Sequence, residues 1–265
     1  DGWYASKYVL TPEDYKKCIF HTQQKIGETG LISNIIENHD EPRGVCHYIL
    51  PEDRCLDSKK LLAGVYFFLR GIPFIYQGQE IGMENMDFTS MEQIDDISTI
   101  DEYQVALNAG CTEKEALQAA SAFSRDNART PVQWNTEKNA GFTTGTPWLG
   151  VNPDYKEINV ESQLTDNGSL LSFYKKMTAL RKTQEYKDTF VYGSFKPYKE
   201  DQENLIAYTR TEEKNILVMG NLQSQPRNVE LPGEVKNVLL NNQEEVQIKN
   251  GTISLNPYQF VILEY

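Results

Sequence analysis

Residues 11–82 alternate between segments typical of helices and short apolar segments typical of buried strands. A capping threonine followed by proline opens the first helix, and a glycine follows the end of each helix. The predicted order is helix, strand, helix, strand, at residues 11–28, 31–36, 58–70 and 72–76. Alternation of this kind predicts a parallel α/β sheet or barrel.

Polar residues follow each of the two predicted strands at once. In parallel α/β folds, active sites lie at the carboxyl ends of the strands. After the first strand come Asn38, His39, Asp40 and Arg43. An amide, an imidazole and a carboxylate in one cleft can hydrogen-bond several sugar hydroxyls at once. The alternative is a plain capped turn, since Asn, Asp and Pro are common turn residues, and spacing alone favours that alternative.

A second polar group lies in segment 124–134, where Arg125 and Arg129 stand on either side of Asp126 and Asn127. Planar guanidinium groups suit polyhydroxylated ligands. The alternative, equally supported by these residues, is an ion-pair network that holds a long loop. Residues 124–168 have no clear helix or strand pattern, and a segment of this length is either functional or disordered. Its aromatic residues favour an ordered, functional loop.

From about residue 189 the pattern changes to short strands separated by turn residues, which predicts an antiparallel β-domain. The predicted strands are 190–195, 205–211, 216–220, 235–240, 252–255 and 260–264. We therefore expect a domain boundary between residues 187 and 188, with 1–187 forming an α/β part and 188–265 the β-domain.

Charge and composition exclude several classes of protein. The net charge of −12 disfavours a nucleic-acid partner, and the longest apolar run, 61–69, is too short to span a membrane. The four cysteines lack metal-site spacing, so we expect reduced, buried thiols in a cytoplasmic protein and no metal or cofactor. The G-x-S-x-G motif and the nucleotide-binding glycine motifs are absent.

Taken together, these motifs resemble glycoside hydrolase family 13. The segment 36–43 is similar to the last of that family's four signature regions, in the form typical of α-glucosidases and oligo-1,6-glucosidases. Three further segments resemble the same subfamily, at 71–83, 124–134 and 139–160. The resemblance implies the C-terminal part of a (β/α)8 barrel, with strands 7 and 8 at 31–36 and 72–76, followed by an antiparallel β-sandwich domain.

The resemblance also implies roles for individual residues. Asp40 is similar to the catalytic carboxylate that stabilises the transition state. His39 and Arg125 are similar to residues that bind the terminal sugar, and Arg43 to a residue that supports the pocket rim. Asp126, Arg129 and Trp134 are expected to hold the loop. Two positions depart from the usual pattern, Glu41 in place of Gln and Ser98 in place of Glu.

The implied activity is that of a retaining, exo-acting α-glucosidase on short oligosaccharides. The family's first three signature regions, which carry the nucleophile and the acid/base residue, are not found, and Asp40 cannot replace both. We therefore expect the chain alone to be inactive and to need the N-terminal part of the barrel as a partner. Three alternatives remain open: a sucrose isomerase or trehalose-6-phosphate hydrolase, a catalytically inactive relative, and a β-rich binding module. Linkage preference stays undetermined.

Overall fold

The computed structural model describes residues 2–6 and 10–265. The α-helices are α1 Pro12–Ile26, α2 Gly44–Tyr48, α3 Leu56–Phe67, α4 Ile97–Asn108, α5 Glu113–Ala122, α6 Asp126–Arg129, α7 Val160–Leu164, α8 Leu170–Lys182 and α9 Lys187–Tyr192. The strands are β1 Ser33–Asn34, β2 Ile72–Pro73, β3 Ser194–Pro197, β4 Leu205–Thr211, β5 Asn215–Asn221, β6 Arg227–Glu230, β7 Asn237–Asn241, β8 Gln247–Lys249, β9 Thr252–Leu255 and β10 Phe260–Glu264. Turns of 3-10 helix lie at Trp3–Ala5, Pro51–Asp53, Gln79–Ile81, Met91–Gln93, Lys138–Gly141 and Pro153–Lys156.

Helix α1 begins where the threonine–proline pair predicts it. The Asp14 N–H donates to Thr11 Oγ1 at 3.1 Å, and the Thr11 N–H donates to the Asp14 carboxylate at 3.2 Å. This reciprocal capping satisfies two backbone donors that the first turn leaves without helical partners. The helix ends before Gly27, whose φ of +54° suits a residue without a side chain.

The two predicted parallel strands pair as expected, although they are short. β1 and β2 run parallel, with Ser33 opposite Ile72. The expectation that the neighbouring apolar side chains are buried is wrong, because Leu31 is 49%, Ile72 55% and Phe74 51% exposed. A strand in a parallel sheet is buried only when neighbouring strands and helices cover it, and this sheet consists of two strands.

The predicted antiparallel domain is present as two sheets. Their strand orders are β3-β4-β5-β10-β7 and β6-β9-β8, and every neighbouring pair in them is antiparallel. The predicted strands 205–211, 252–255 and 260–264 have the observed bounds. The predicted strand 190–195 is wrong over its first half, which belongs to helix α9.

Both faces of the central strands β4, β5 and β10 are covered, which explains their nearly continuous apolar sequences. The core of the two sheets consists of Leu205, Ala207, Leu217, Met219, Val229, Leu231, Ile253, Leu255, Val261 and Leu263. On the opposite face, Tyr208 donates its hydroxyl to the carbonyl of Val65 in α3 at 2.8 Å. Phe260 of β10 packs against Gly64 of the same helix.

The chain divides into two compact units. One contains Leu10–Ile35, Tyr48–Phe74 and Ser172–Tyr265, and so includes β1, β2 and both antiparallel sheets. The other contains Ile36–His47, Ile75–Leu171 and the described part of Asp1–Val9. The predicted polar residues of 37–43 and 124–134 therefore belong to the second unit.

Two further expectations concern cysteines and membranes. Within the described part of the chain, none of the cysteines forms a disulfide, but Cys18 and Cys55 are exposed, so the expectation of buried thiols is wrong for these two. Across residues 2–6 and 10–265, no helix is long and apolar enough to cross a membrane.

Candidate active site

Asp40 lies in the polar turn that precedes α2. Its N–H donates to Asn38 Oδ1 at 2.7 Å, so the amide side chain closes the turn. The same turn brings His39 Nε2 within 3.2 Å of Asp40 Oδ2, and both side chains are exposed. The structure therefore shows the capped turn, and a sugar-binding role for its polar side chains remains a prediction.

Two arginines approach the Asp40 carboxylate from the other polar segment. Arg129 Nη2 donates to Asp40 Oδ1 at 3.2 Å, and Arg129 Nε donates to the carbonyl of His39 at 2.9 Å. Arg125 Nη1 lies 3.8 Å from the same carboxylate oxygen. Arg129 was expected only to hold the loop, and its contact with Asp40 was not predicted from the sequence. The two arginines are four residues apart, a spacing that puts both side chains on one side of a helical turn. This spacing could have predicted that both arginines approach the same group.

Arg125 is held in place by Asp96, a residue that the sequence did not point to. Arg125 Nε donates to Asp96 Oδ1 at 2.9 Å, and its Nη2 bonds the same oxygen and donates to Ser98 Oγ at 3.1 Å. Burial raises the pKa of Asp96, but hydrogen bonds from Arg125 and Thr99 outweigh burial and leave that pKa below its usual value. The Arg125 pKa is raised by the same hydrogen bond, so this pair stays charged.

Asp126 ties the loop that carries the two arginines to the start of α4. Its Oδ2 accepts from the N–H groups of Asp95 and Asp96 at 2.7 and 2.9 Å, and its side chain is buried. Trp134 donates its backbone N–H to the carbonyl of Ala140 at 2.9 Å. These contacts fit the loop-holding role that the resemblance implies for Asp126 and Trp134.

Arg43 is fully buried and does not face the cleft. Its Nη1 donates to Glu37 Oε2 at 3.2 Å and to the carbonyl of Gln77 at 2.8 Å, and its Nε donates to the carbonyl of Asn127 at 3.2 Å. In this arrangement its side chain is not available to a ligand. The expectation that Arg43 takes part in the substrate pocket at its rim is therefore revised: Arg43 is a buried support of the Asp40 turn.

Asp40 and Arg125 line an open cleft of about 390 Å³, whereas His39 is not among its lining residues. Its lining residues are Trp3, Asp40, Glu41, Pro42, Ser98, Phe123 and Arg125. Carboxylate and guanidinium groups next to aromatic side chains suit a ligand with several hydroxyls. A carboxylate in such a cleft also opposes positive charge that develops on a bound sugar ring.

The described ranges, 2–6 and 10–265, contain no group of three His, Cys, Asp or Glu side chains suited to a metal ion.

Comparison with known families matches residues 3–193 to the alpha amylase catalytic domain. The chain belongs to the alpha-amylase family of glycoside hydrolases. Residues 205–262 match the C-terminal domain of the alpha-amylase SusG. The family explains the fold, which is the C-terminal part of a (β/α)8 barrel followed by an antiparallel β-sandwich domain, as expected. The boundary at residues 187 and 188 remains a prediction.

Relatives in the alpha-amylase family include the oligo-1,6-glucosidase of Halalkalibacterium halodurans, which is 38% identical over 96% of this chain and 46% of the relative. Among solved structures, the trehalose-6-phosphate hydrolase of Bacillus licheniformis is 33% identical, with a TM-score of 0.90 over 100% of this chain and 48% of that one. The trehalulose synthase of Pseudomonas mesoacidophila MX-45 is 35% identical, with a TM-score of 0.88 over 96% of this chain and 47% of that one. The chain spans about half the length of these relatives.

Proposed function

We propose that this chain supplies one wall of the glycosyl pocket in a retaining, exo-acting α-glucosidase that hydrolyses terminal α-glucosidic bonds of short oligosaccharides. The observation that carries the proposal is the convergence of Arg129 and Arg125 on the Asp40 carboxylate, at 3.2 and 3.8 Å. These two contacts orient the Asp40 carboxylate in the cleft. Oligo-1,6-glucosidases among the relatives support an α-glucoside as the substrate class.

Within this proposal, Asp40 stabilises the oxocarbenium-like transition state by its charge and by hydrogen bonds to ring hydroxyls. His39 binds the same sugar through its exposed imidazole. Arg125, fixed by Asp96, binds a hydroxyl at the non-reducing end and closes the pocket, so that one terminal glucose is released at a time. Arg43 supports the turn from beneath and has no direct contact with the sugar.

Retaining hydrolysis needs a nucleophile and an acid/base residue whose carboxyl groups lie about 5 Å apart. We infer that both come from an N-terminal part of the barrel, which acts as the partner of this chain. The exposed apolar side chains of Leu31, Ile72 and Phe74 support this inference, because strands beside β1 and β2 would cover them. Under this proposal the chain alone is inactive, and the complete enzyme is cytoplasmic.

The test is an assay of the full-length protein that contains this chain. We expect p-nitrophenyl α-glucoside to be hydrolysed to p-nitrophenol and glucose, whereas the β-anomer, which places its leaving group on the opposite face, should react at least about 100-fold more slowly. Absorbance at neutral pH measures both rates. Failure to hydrolyse any α-glucoside would contradict the proposal and favour a catalytically inactive relative.

A second candidate function is supported by the trehalulose synthase and trehalose-6-phosphate hydrolase structures that this chain resembles. A sucrose isomerase would convert sucrose to an isomer with little release of free glucose, and a trehalose-6-phosphate hydrolase would need the phosphate group for efficient turnover. Chromatography of the products from sucrose, isomaltose and trehalose 6-phosphate distinguishes the three activities. A third possibility, sugar binding without catalysis, would appear as glucose binding to the isolated chain in calorimetry.

A further inference from the structure

Beneath the candidate site, a buried arginine connects three segments of one unit. The guanidinium of Arg43 donates to the carbonyl of Gln77, in the segment after β2, and to the carbonyl of Asn127, in α6. Its backbone N–H donates to Asn85 Oδ1 at 2.8 Å. The ring of Tyr76 lies against the guanidinium, with its centroid 5.6 Å from the Arg43 Cζ. Arg43 thus links the Asp40 turn to the helix that ends at Arg129.

The carboxylate that balances this buried charge is Glu37. Its Oε2 lies 3.2 Å from Arg43 Nη1, and both side chains are fully removed from solvent. A side chain on Gly44 would meet Glu37 Cγ at 2.9 Å, so the glycine allows the backbone to approach the pair closely. A charge buried this completely is strongly destabilising without its partner. The position of Arg43 therefore depends on Glu37.

The charged groups that face Glu37 are Arg43 and Glu80. Glu80 comes from the turn after β2, and its Oε2 is buried with no hydrogen-bond partner in the described part of the chain. Burial raises the pKa of Glu37 to about 7; the Arg43 charge opposes this rise and the Glu80 charge adds to it. Glu37 is thus largely protonated at acidic pH and pairs fully with Arg43 only above about pH 7.

We propose that Glu37 is a positioning residue for the site: by fixing Arg43, it sets the distance between the turn that carries Asp40 and the helix that carries Arg129. This inference rests on the proposed function for its effect on catalysis. The Asp40 turn lies between Glu37 and Arg43 in sequence, so the ion pair closes that turn from below. Asn127 lies two residues before Arg129 in α6, so movement of Arg43 would change the contact of 3.2 Å between Arg129 and Asp40.

The test replaces Glu37 by Gln in the full-length protein. The wild-type kcat/KM should rise as the pH passes through about 7, because the Glu37 carboxylate then pairs with Arg43. In Glu37→Gln this rise should be lost, and kcat/KM at pH 8 should fall by about 10- to 100-fold, since a misplacement of about 1 Å can lower a rate by about 100-fold. Hydrogen exchange of segments 38–47 and 126–129 should become faster.

Glu264→Gln is the matched control. Glu264 is also buried and ion-paired, with Lys214 at 3.1 Å, but lies in β10, in the other unit. This variant should retain the wild-type pH profile and the wild-type exchange in both segments. If Glu37→Gln behaves like this control, the positioning role is wrong.

Glu37→Asp provides a second variant if Glu37→Gln does not fold. It keeps the charge but withdraws the carboxylate from Arg43, so the pH-dependent rise should remain while the two segments exchange faster. Unchanged exchange in this variant would overturn the inference. Hydrogen exchange also separates the two proposals, because it reports positioning even if no α-glucoside is hydrolysed.

Discussion

Asp40→Asn should lower kcat/KM for p-nitrophenyl α-glucoside by about 1000-fold in the full-length protein, the loss expected when one preorganised electrostatic group is removed from a transition state. This corresponds to about 4 kcal/mol of transition-state stabilisation. Asn keeps the shape of the side chain and an oxygen that can accept from Arg129. The negative charge opposite the sugar ring is what the substitution removes. Steady-state kinetics at neutral pH measures the loss.

Asp101→Asn is the control for this substitution. Asp101 lies on α4 in the same unit as Asp40, and its side chain is exposed. The Asp101→Asn substitution removes the same charge outside the cleft. We therefore expect kcat/KM to stay within about twofold of wild type, as is usual for surface substitutions. Near-wild-type turnover in Asp40→Asn would contradict the proposed catalytic role of Asp40.

Gly64→Val should destabilise the protein by about 3 kcal/mol, the upper part of the range for overpacked cores. A Cβ at Gly64 would lie 2.5 Å from Cε1 and Cζ of the Phe260 ring, so the ring or the backbone would have to shift. Phe260 is fully buried in a strand with neighbours on both sides. Urea unfolding followed by circular dichroism measures the change in the free energy of unfolding.

Gly30→Ala serves as the matched control. A Cβ at that position would meet Ile26 Cγ2 at 3.5 Å, an ordinary van der Waals contact. Its effect should stay within about 1 kcal/mol, the scale of the difference in backbone entropy between Gly and Ala. Equal effects of the two substitutions would contradict the close packing of α3 on β10.

Strong local signals in the sequence predicted much of the fold. The capped start of α1 and the apolar strands β4 and β10 are encoded by neighbouring residues. The strands β6 and β8 were missed because they are short and polar, with a single buried residue in β6 and none in β8. The burial expected for the apolar residues beside β1 and β2 was wrong, because it assumed neighbouring strands and the described residues form a sheet of two strands here.

The candidate site could also be predicted only in part, because some of its features depend on neighbouring residues and others on contacts between distant segments. The turn around Asp40 directly follows the apolar segment 31–36 in sequence, so its polar residues could be recognised from their neighbours. Its contact with Arg129 joins residues far apart in sequence, and the support of Arg125 by Asp96 does the same. Such contacts depend on how segments pack, which residue spacing does not reveal. The burial of Arg43 is likewise a consequence of packing.

The most direct test of the account follows the hydrolysis of a short α-linked glucose oligosaccharide by the full-length protein with time-resolved proton NMR. A retaining, exo-acting pocket around Asp40 predicts that glucose is released one unit at a time from the non-reducing end, with the α-anomer formed first. First release of the β-anomer, or of internal fragments longer than glucose, would contradict the account.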